Sequence, residues 1–386
     1  MKEINDIIED IANKYHKQII KLGYVLPGRN GPYNDNETPV RNTAHALMIF
    51  RYMYDLTEDS KYYEAIIKAA NYLVSDEARP MKATFYCRKN REKDLSNGLI
   101  GQAWVIEGLA EAFKVTSKEE YLNQALEVFL LHPFDYKKGL WKIVNVDGSI
   151  KSFDMTFNHQ LWFAASGAIL YNLIAKVEIK KSLDVFFHKL DNNLSIYNCG
   201  LIKHKIAFTS SLPEKIILSA RLFKYSLIKY IKNKSMIYKE NGYHIFNVYA
   251  FALIKDHGFE YDFFETNRFS IILDYAFSNK LMCTLQLNNY KSDINHLTLK
   301  DSDLDVNRYG FPYNSPGFEL AYIYQIFKGK LDYKEINIDK ILKKHIDLTY
   351  DYNKKSFSRN TEDEATLTAR IYELTRCLDK NYLEGA

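Results

Sequence analysis

Two short runs, Thr57-Glu-Asp-Ser-Lys-Tyr62 and Thr116-Ser-Lys-Glu-Glu-Tyr121, sit at matching points of two longer stretches, Ala44–Leu73 and Ala103–Leu131. Each stretch reads as a small, apolar helix, then a Thr followed by acidic residues, then a Tyr five positions on, then a second helix. The two Thr are expected to cap the second helices, whose acidic first turns suit a helix N-terminus. Each stretch is therefore a helical hairpin. An offset of about 60 residues between copies argues for an array of hairpins.

The pattern extends in both directions. His159–Ala175 with Ile179–Leu190 reads as a third hairpin, and Phe318–Phe327 with Ile336–Leu348 as a later one. Between them, Pro213–Ile231 and Asn247–Phe277 are helical in period, whereas Gly200–Ser211 and Leu281–Leu297 could hold short strands. Ile4–Leu22 has no sequence neighbour to pair with, and neither does Glu364–Leu378. Both have apolar faces, so their pairing would close a ring where an open solenoid would need polar caps. The expected architecture is all-α: an (α/α)6 toroid, residues 1–386 in one domain, with a small β-hairpin in a rim loop. That hairpin is Leu140–Phe153, alternating around Asp147-Gly148.

Composition bounds the function. The chain is 47% hydrophobic and 26% charged, an ordinary globular balance. Its 30 Tyr and 23 Phe exceed what a core demands. Tyrosine can stack on sugar C–H groups while its hydroxyl hydrogen-bonds, although drift towards Lys, Asn, Ile and Tyr would give the same excess. A net charge of +4 from 52 basic and 48 acidic residues argues against nucleic acid and permits an acidic substrate held by local cations. Cys87, Cys199, Cys283 and Cys377 include no CxxC pair, so neither a zinc knuckle nor a redox motif is expected. The N-terminus reads as an acidic amphipathic helix, and no apolar run approaches the roughly 20 residues of a membrane span. The expectation is a cytoplasmic protein without a membrane partner, a metal or a cofactor.

Long polar segments at 23–42, 76–97, 132–157, 282–316 and 351–363 separate the hairpins. In a toroid they would rim one face of the ring, and long loops in compact domains tend to be functional. The first gives Arg41 and His45; the second, Arg88 and Asp94, with Trp104 on the helix that follows. The third gives Trp141, Asp154, Asn158, His159 and Trp162. Arg308, Tyr309, Tyr313 and Asn314 come from the fourth, and Arg359 from the last. Taken singly, each has an ordinary reading: Asp154 as a helix cap, His159 as a bonded structural histidine, Trp104 and Trp162 as core, Arg359 as half of a surface ion pair. Their shared rim makes the case for a site.

The run Asn158-His159-Gln160-Leu161-Trp162 resembles the Asn-His-x-x-Trp element of toroid alginate lyases. That resemblance implies that Asn158 and His159 flank a uronate carboxylate, with an Arg and a Tyr completing proton transfer; Arg308 with Tyr309 or Tyr313 are the candidates here. More broadly, the chain looks like the toroid carbohydrate enzymes, which include unsaturated-uronyl hydrolases and sugar 2-epimerases. Elimination at a uronate needs the carboxylate neutralised, the C5 proton removed and the leaving oxygen protonated, tasks that suit Asn158 and an Arg, His159, and a Tyr. The same groups without a leaving group would give epimerisation. Hydrolysis would instead need two carboxylates, for which Asp94 and Asp154 are the pair. The expected function is lyase-type action on an acidic oligo- or polysaccharide. The alternatives are that hydrolase and a non-catalytic sugar-binding scaffold.

Overall fold

The computed structural model describes residues 2–206, 226–285 and 307–378. Its elements in chain order are α1 (Lys2–Leu22), α2 (Val40–Thr57), α3 (Ser60–Leu73), α4 (Gly98–Thr116), α5 (Glu119–Leu131), β1 (Phe134–Asp135), β2 (Leu140–Val144), β3 (Ile150–Phe153), α6 (Phe157–Ile174), α7 (Val177–His188) and α8 (Leu190–Asn193). There follow α9 (Ser226–Asp256), α10 (Asn267–Ala276), α11 (Asn279–Thr284), α12 (Pro316–Phe327), α13 (Ile338–Thr349), α14 (Glu364–Ala369) and α15 (Tyr372–Thr375).

An inner ring runs α2–α4–α6–α9–α12–α15 and closes with α15 against α2. Around it lie α3, α5, α7, α10 and α13, each packed on the inner helix before it, while α1 covers α2 and α3. This is an (α/α)6 toroid. Inner and outer helices differ in their side chains. Along α3 the buried residues Tyr62, Ala65, Ile66, Ala69, Ala70 and Leu73 form one stripe, as a helix packed on one side requires. Helix α4 is buried almost continuously from Gly98 to Ala112, because it has neighbours all round. A Cβ on Gly108 would lie 3.3 Å from Ala44, so α2 and α4 cross with almost no side chain between them.

The third loop forms the expected β-hairpin within a three-stranded antiparallel sheet, β1-β2-β3. Phe134 pairs with Trp141, and Lys142 with Phe153. Its turn is set by Asp147, whose carboxylate accepts from the Ser149 amide at 2.9 Å, and by Gly148 at φ 78.

Several expectations need correction. Thr57 and Thr116 end the inner helices and do not begin the outer ones. Their hydroxyls donate back to Met53 O at 2.6 Å and Ala112 O at 2.7 Å. The next residues, Glu58 and Ser117, adopt left-handed backbone at φ 54 and stop each helix. The cap of α3 is Asp59, which accepts from the Lys61 amide at 2.9 Å. The stretch expected to form one last helix is broken into α14, α15 and a 3-10 turn. It closes the ring through α2 and α12, and touches α1 through the Lys14–Glu364 ion pair at 3.2 Å. Of the two stretches that could hold strands, Gly200–Lys205 makes only single bridges, Ile196 with Ile202 and Thr156 with Lys205. Leu281–Thr284 is helical, nucleated by the Ser278 cap. Residues 286–297, and 213–225 of the expected helical region, lie outside the described residues. No described helix is long and apolar enough to cross a membrane.

Candidate active site

The starts of the inner helices and the long loops surround a cleft of about 680 Å³. The cap and first two turns of α4 give it Asn97, Ile100 and Trp104, the first turn of α6 gives Asn158 and His159, and one face of α9 gives Lys239, Tyr243 and Phe246. Loops and the broken last segment add Asn30, Tyr33, Asp35, Arg88, Lys93, Thr156, His204, Tyr313 and Arg370.

His159 is held by Asp154, whose Oδ2 lies 2.7 Å from the imidazole Nδ1. Asp154 is itself 4% exposed and fixed by the amides of Leu99 at 3.2 Å and Thr156 at 3.1 Å. Burial pushes its carboxyl up, but the neighbouring imidazole and the two amides outweigh burial and hold it below the usual aspartate range. An ionised Asp154 puts the hydrogen on Nδ1 and leaves the Nε2 lone pair as the proton acceptor. Gly98 packs against this pair. It sits at φ +59, and a Cβ there would fall 2.4 Å from Asp154 Oδ2, so the start of α4 can bear no side chain at this point.

Two glutamines pin loops to the mouth of the ring. Gln160 accepts from the Trp141 amide at 2.9 Å and donates to Trp141 O at 2.8 Å and Asp154 O at 3.0 Å. Gln102, one hairpin earlier, treats Phe85 the same way at 2.8 and 3.1 Å and also holds Ser96 O.

His204 stands near His159 on the cleft wall. Its amide donates to Glu240 at 2.8 Å, and its ring lies 5.4 Å from that of Tyr243. Burial, followed by the charges of Lys239, His159 and Lys205, takes its pKa down to about 3, so it is neutral at physiological pH. Lys239 lies 5.0 to 5.8 Å from the ring centres of Tyr33, Tyr243 and Tyr309. Burial, helped by Lys205, lowers its pKa to about 8. Tyr33 and Tyr243 share a 2.8 Å hydroxyl contact, and burial raises both phenols well above their ordinary range. Asp35 is taken up by Lys93 at 2.6 Å and Arg88 at 3.7 Å. Four cations and this one carboxylate line the cleft, with Asp94 behind Arg88 and Glu373 behind Arg370 as their counter-ions.

Of the residues singled out in the sequence, His159, Asn158, Tyr313, Arg88 and Trp104 line the cleft together. Asp94 lies just behind, ion-paired to Arg88 at 2.5 Å, and Tyr309 packs its ring on Tyr33 and Tyr238. Others are brought to the second layer. Arg41 is buried in an ion pair with Glu37 at 2.5 Å, and His45 stacks on Tyr372 at 4.2 Å. Asn314 accepts from Arg370 at 2.7 Å. Trp141 is packed among Phe129, Phe134, Phe163 and Phe186. Trp162 stacks on Phe246 and Tyr249 and spends its N–H on Phe246 O. Both tryptophans are core, not sugar platforms. Arg308 pairs with Glu362 at 3.2 Å on the surface, and Arg359 bonds through its amide to Thr349 O; neither lines the cleft.

His204, Lys239, Tyr243 and Arg370 were not foreseen. Lys239, Tyr243 and Phe246 stand at i, i+4 and i+7, a spacing that marks one helix face. Arg370 carried no such signal, because the segment bearing it reads as an unbroken helix. Among the described residues no group of three or more His, Cys, Asp or Glu is arranged to hold a metal ion.

The fold is that of a class of sugar enzymes. It superimposes on cellobiose 2-epimerase from Bacillus thermoamylovorans with a TM-score of 0.62 and 12% identity, covering 98% of this chain and 99% of that one. A D-mannose isomerase gives 0.64 and 11%, covering 100% and 98%. Unsaturated glucuronyl hydrolase from Bacillus sp. GL1 gives 0.59 and 11%, covering 98% and 97%. No family model matches the chain. Over 389 residues it is 34% identical to archaeal glycosylation protein Q from Haloferax volcanii, covering 98% of both chains. The chain belongs to the family of that protein.

Proposed function

We propose that this protein is a carbohydrate-active enzyme that removes a proton from the carbon beside the carboxylate or carbonyl of an acidic sugar, with His159 as the base. The observation that carries this reading is the Asp154–His159 pair at the edge of a cationic, tyrosine-walled cleft. The cations on the cleft wall, Arg88, Lys93, Lys239 and Arg370, favour an acidic sugar. The name of the archaeal relative, a glycosylation protein, supports a sugar substrate.

In the lyase-type reaction, His159 Nε2 takes the C5 proton. The electron pair moves into the carboxyl group, and its return expels the oxygen on C4 as the C4–C5 double bond forms. A neutral phenol, Tyr33 or Tyr243, gives that oxygen its proton. Where C4 carries no suitable leaving group, the pair returns to carbon. His204 favours this epimerising course as a second reading, since a second imidazole on the wall can relay a proton to the other face. The hydrolase reading is disfavoured. Asp154 is buried and committed to His159, and Asp94 is bound to Arg88, Ser96 Oγ and the Gly98 amide. Neither is a free acid of the kind glycoside hydrolysis uses.

The test is incubation with a panel of uronic acids and uronate oligosaccharides in D2O, followed by NMR and ultraviolet absorbance. Elimination gives the absorbance of an unsaturated product. Epimerisation gives deuterium at carbon without it. New reducing ends with neither signal would overturn proton abstraction, and retained binding with no reaction would make the protein a scaffold.

A further inference from the structure

Three residues lining the cleft hide polar atoms that are sealed from solvent and have no partner among the described residues: Arg370 Nε, Trp104 Nε1 and Asn158 Oδ1. Their side chains are 1%, 3% and 3% exposed. A buried polar atom left unpaired is costly, and native interiors keep few of them. Three in one cleft wall call for a shared explanation.

The rest of Arg370 is fully engaged. One terminal nitrogen donates to Glu373 at 2.5 Å and the other to Asn314 at 2.7 Å. The guanidinium carbon sits 4.8 Å from the Phe246 ring centre and 5.8 Å from that of Trp104. Burial, then the Glu373 charge, pushes the nearby Glu319 carboxyl well above the usual glutamate range, which leaves Glu373 as the carboxylate bonded to Arg370. The guanidinium is thus held at both terminal nitrogens with its Nε–H unpaired, next to an indole whose N–H is also unpaired.

We infer that Arg370 Nε–H and Trp104 Nε1–H form an oxyanion site that a bound sugar uncovers by displacing the side chains over it; the site takes the sugar oxygen that gains negative charge when His159 removes the proton, while Asn158 holds the hydroxyl on the next carbon. The inference rests on the proton-transfer reading above and adds to it the groups that stabilise the intermediate. Electrons leaving the C–H bond move into the adjacent C=O, the resulting enolate oxygen takes both N–H donors, and the pair returns when carbon is reprotonated or the leaving oxygen departs. No oxidant or further reactant is needed. One such donor is worth roughly 10²–10³ in rate. The ligand class is a sugar with a carboxylate or carbonyl next to the acidic C–H.

Trp104→Phe is the sharpest variant, because it keeps the ring and deletes only the unpaired N–H. The expected result is a rate of deuterium uptake about 10²-fold below wild type, with KM little changed and Tm unchanged or raised. Arg370→Lys, which keeps charge but loses the fork, should lose rate similarly. If wild type exchanges, His159→Asn does not, and Trp104→Phe exchanges at the wild-type rate, the oxyanion site is wrong while proton abstraction stands. A Trp104→Phe protein with a lowered Tm, or one that fails to fold, would mean the N–H is structural and would also overturn it. Absence of exchange in wild type across the uronate panel removes both proposals together.

Discussion

The two faces of the toroid are built by opposite rules. On one, α2, α4 and α6 pass to their outer helices through a left-handed residue, Glu58, Ser117 and Ala175 at φ 54, 54 and 47, while α9 and α12 take longer connections through 3-10 turns. On the other, outer helix returns to inner helix through long loops that carry the cleft. The quiet face repeats through the first three hairpins because each of those turns does the same mechanical job. Tyr62 and Tyr121 repeat there as well, each reaching an Asn on the preceding outer helix, Asn13 at 3.4 Å and Asn71 at 2.7 Å. The working face does not repeat, because its groups must differ to make one asymmetric site.

If this division is right, substitutions on the working face should separate stability from activity, whereas those on the quiet face should move stability alone. The largest effect is expected at Arg41. Arg41→Met strands the buried Glu37 carboxylate and should cost about 3–5 kcal/mol, read as a shift of the denaturant midpoint. His159→Ala should reduce turnover by about 10²–10⁴; full activity in that variant would remove the base from the mechanism. Lys239 is positive below its pKa of about 8 and neutral above. Affinity for an anionic sugar should therefore be flat below that pH and fall as pH rises through it, by up to about tenfold per unit if the charge is essential. Lys239→Met should abolish that pH dependence, which titration of KM would reveal. Tyr121→Phe, on the quiet face, should cost about 1 kcal/mol and leave kcat untouched. The smallest change is Ser117→Gly, which relieves a left-handed non-glycine and should raise stability by about 0.5–1 kcal/mol. A large loss of activity in either quiet-face variant would break the comparison.

The same division explains what could be read from the sequence. Hairpin spacing, the rim β-hairpin and the (α/α)6 ring were legible because outer helices show one apolar stripe and inner helices are small and apolar throughout. Thr57 and Thr116 marked the right places but were assigned the wrong role, since a Thr that bonds back to the i−4 carbonyl looks, in sequence, like one that caps forward. Asn158 and His159 were found because they stand at a helix mouth with Asp154 ahead of them. Arg308 and Arg359 were plausible by loop membership alone, and loop membership does not say which side of a loop a residue takes. Gln102 and Gln160 offered an unused signal: 58 residues apart, they repeat on the working face because both are mechanical clamps. Arg370 was invisible because its position depends on a break between α14 and α15 that no Pro or Gly announces.

Closure of the inner ring through α15 and α2 has a consequence for how the molecule comes apart. In an open stack the terminal units have one neighbour each, so loss of structure can start at an end and move inward one unit at a time. Here the segment that follows Asp363 is wedged between α12 and α2, and α1 packs on α2 and α3. No hairpin is an end. Peeling away any unit removes packing from two others, so denaturation should pass through one sharp transition, and shortening the chain by a single hairpin at either terminus should cost the whole fold rather than a sixth of it.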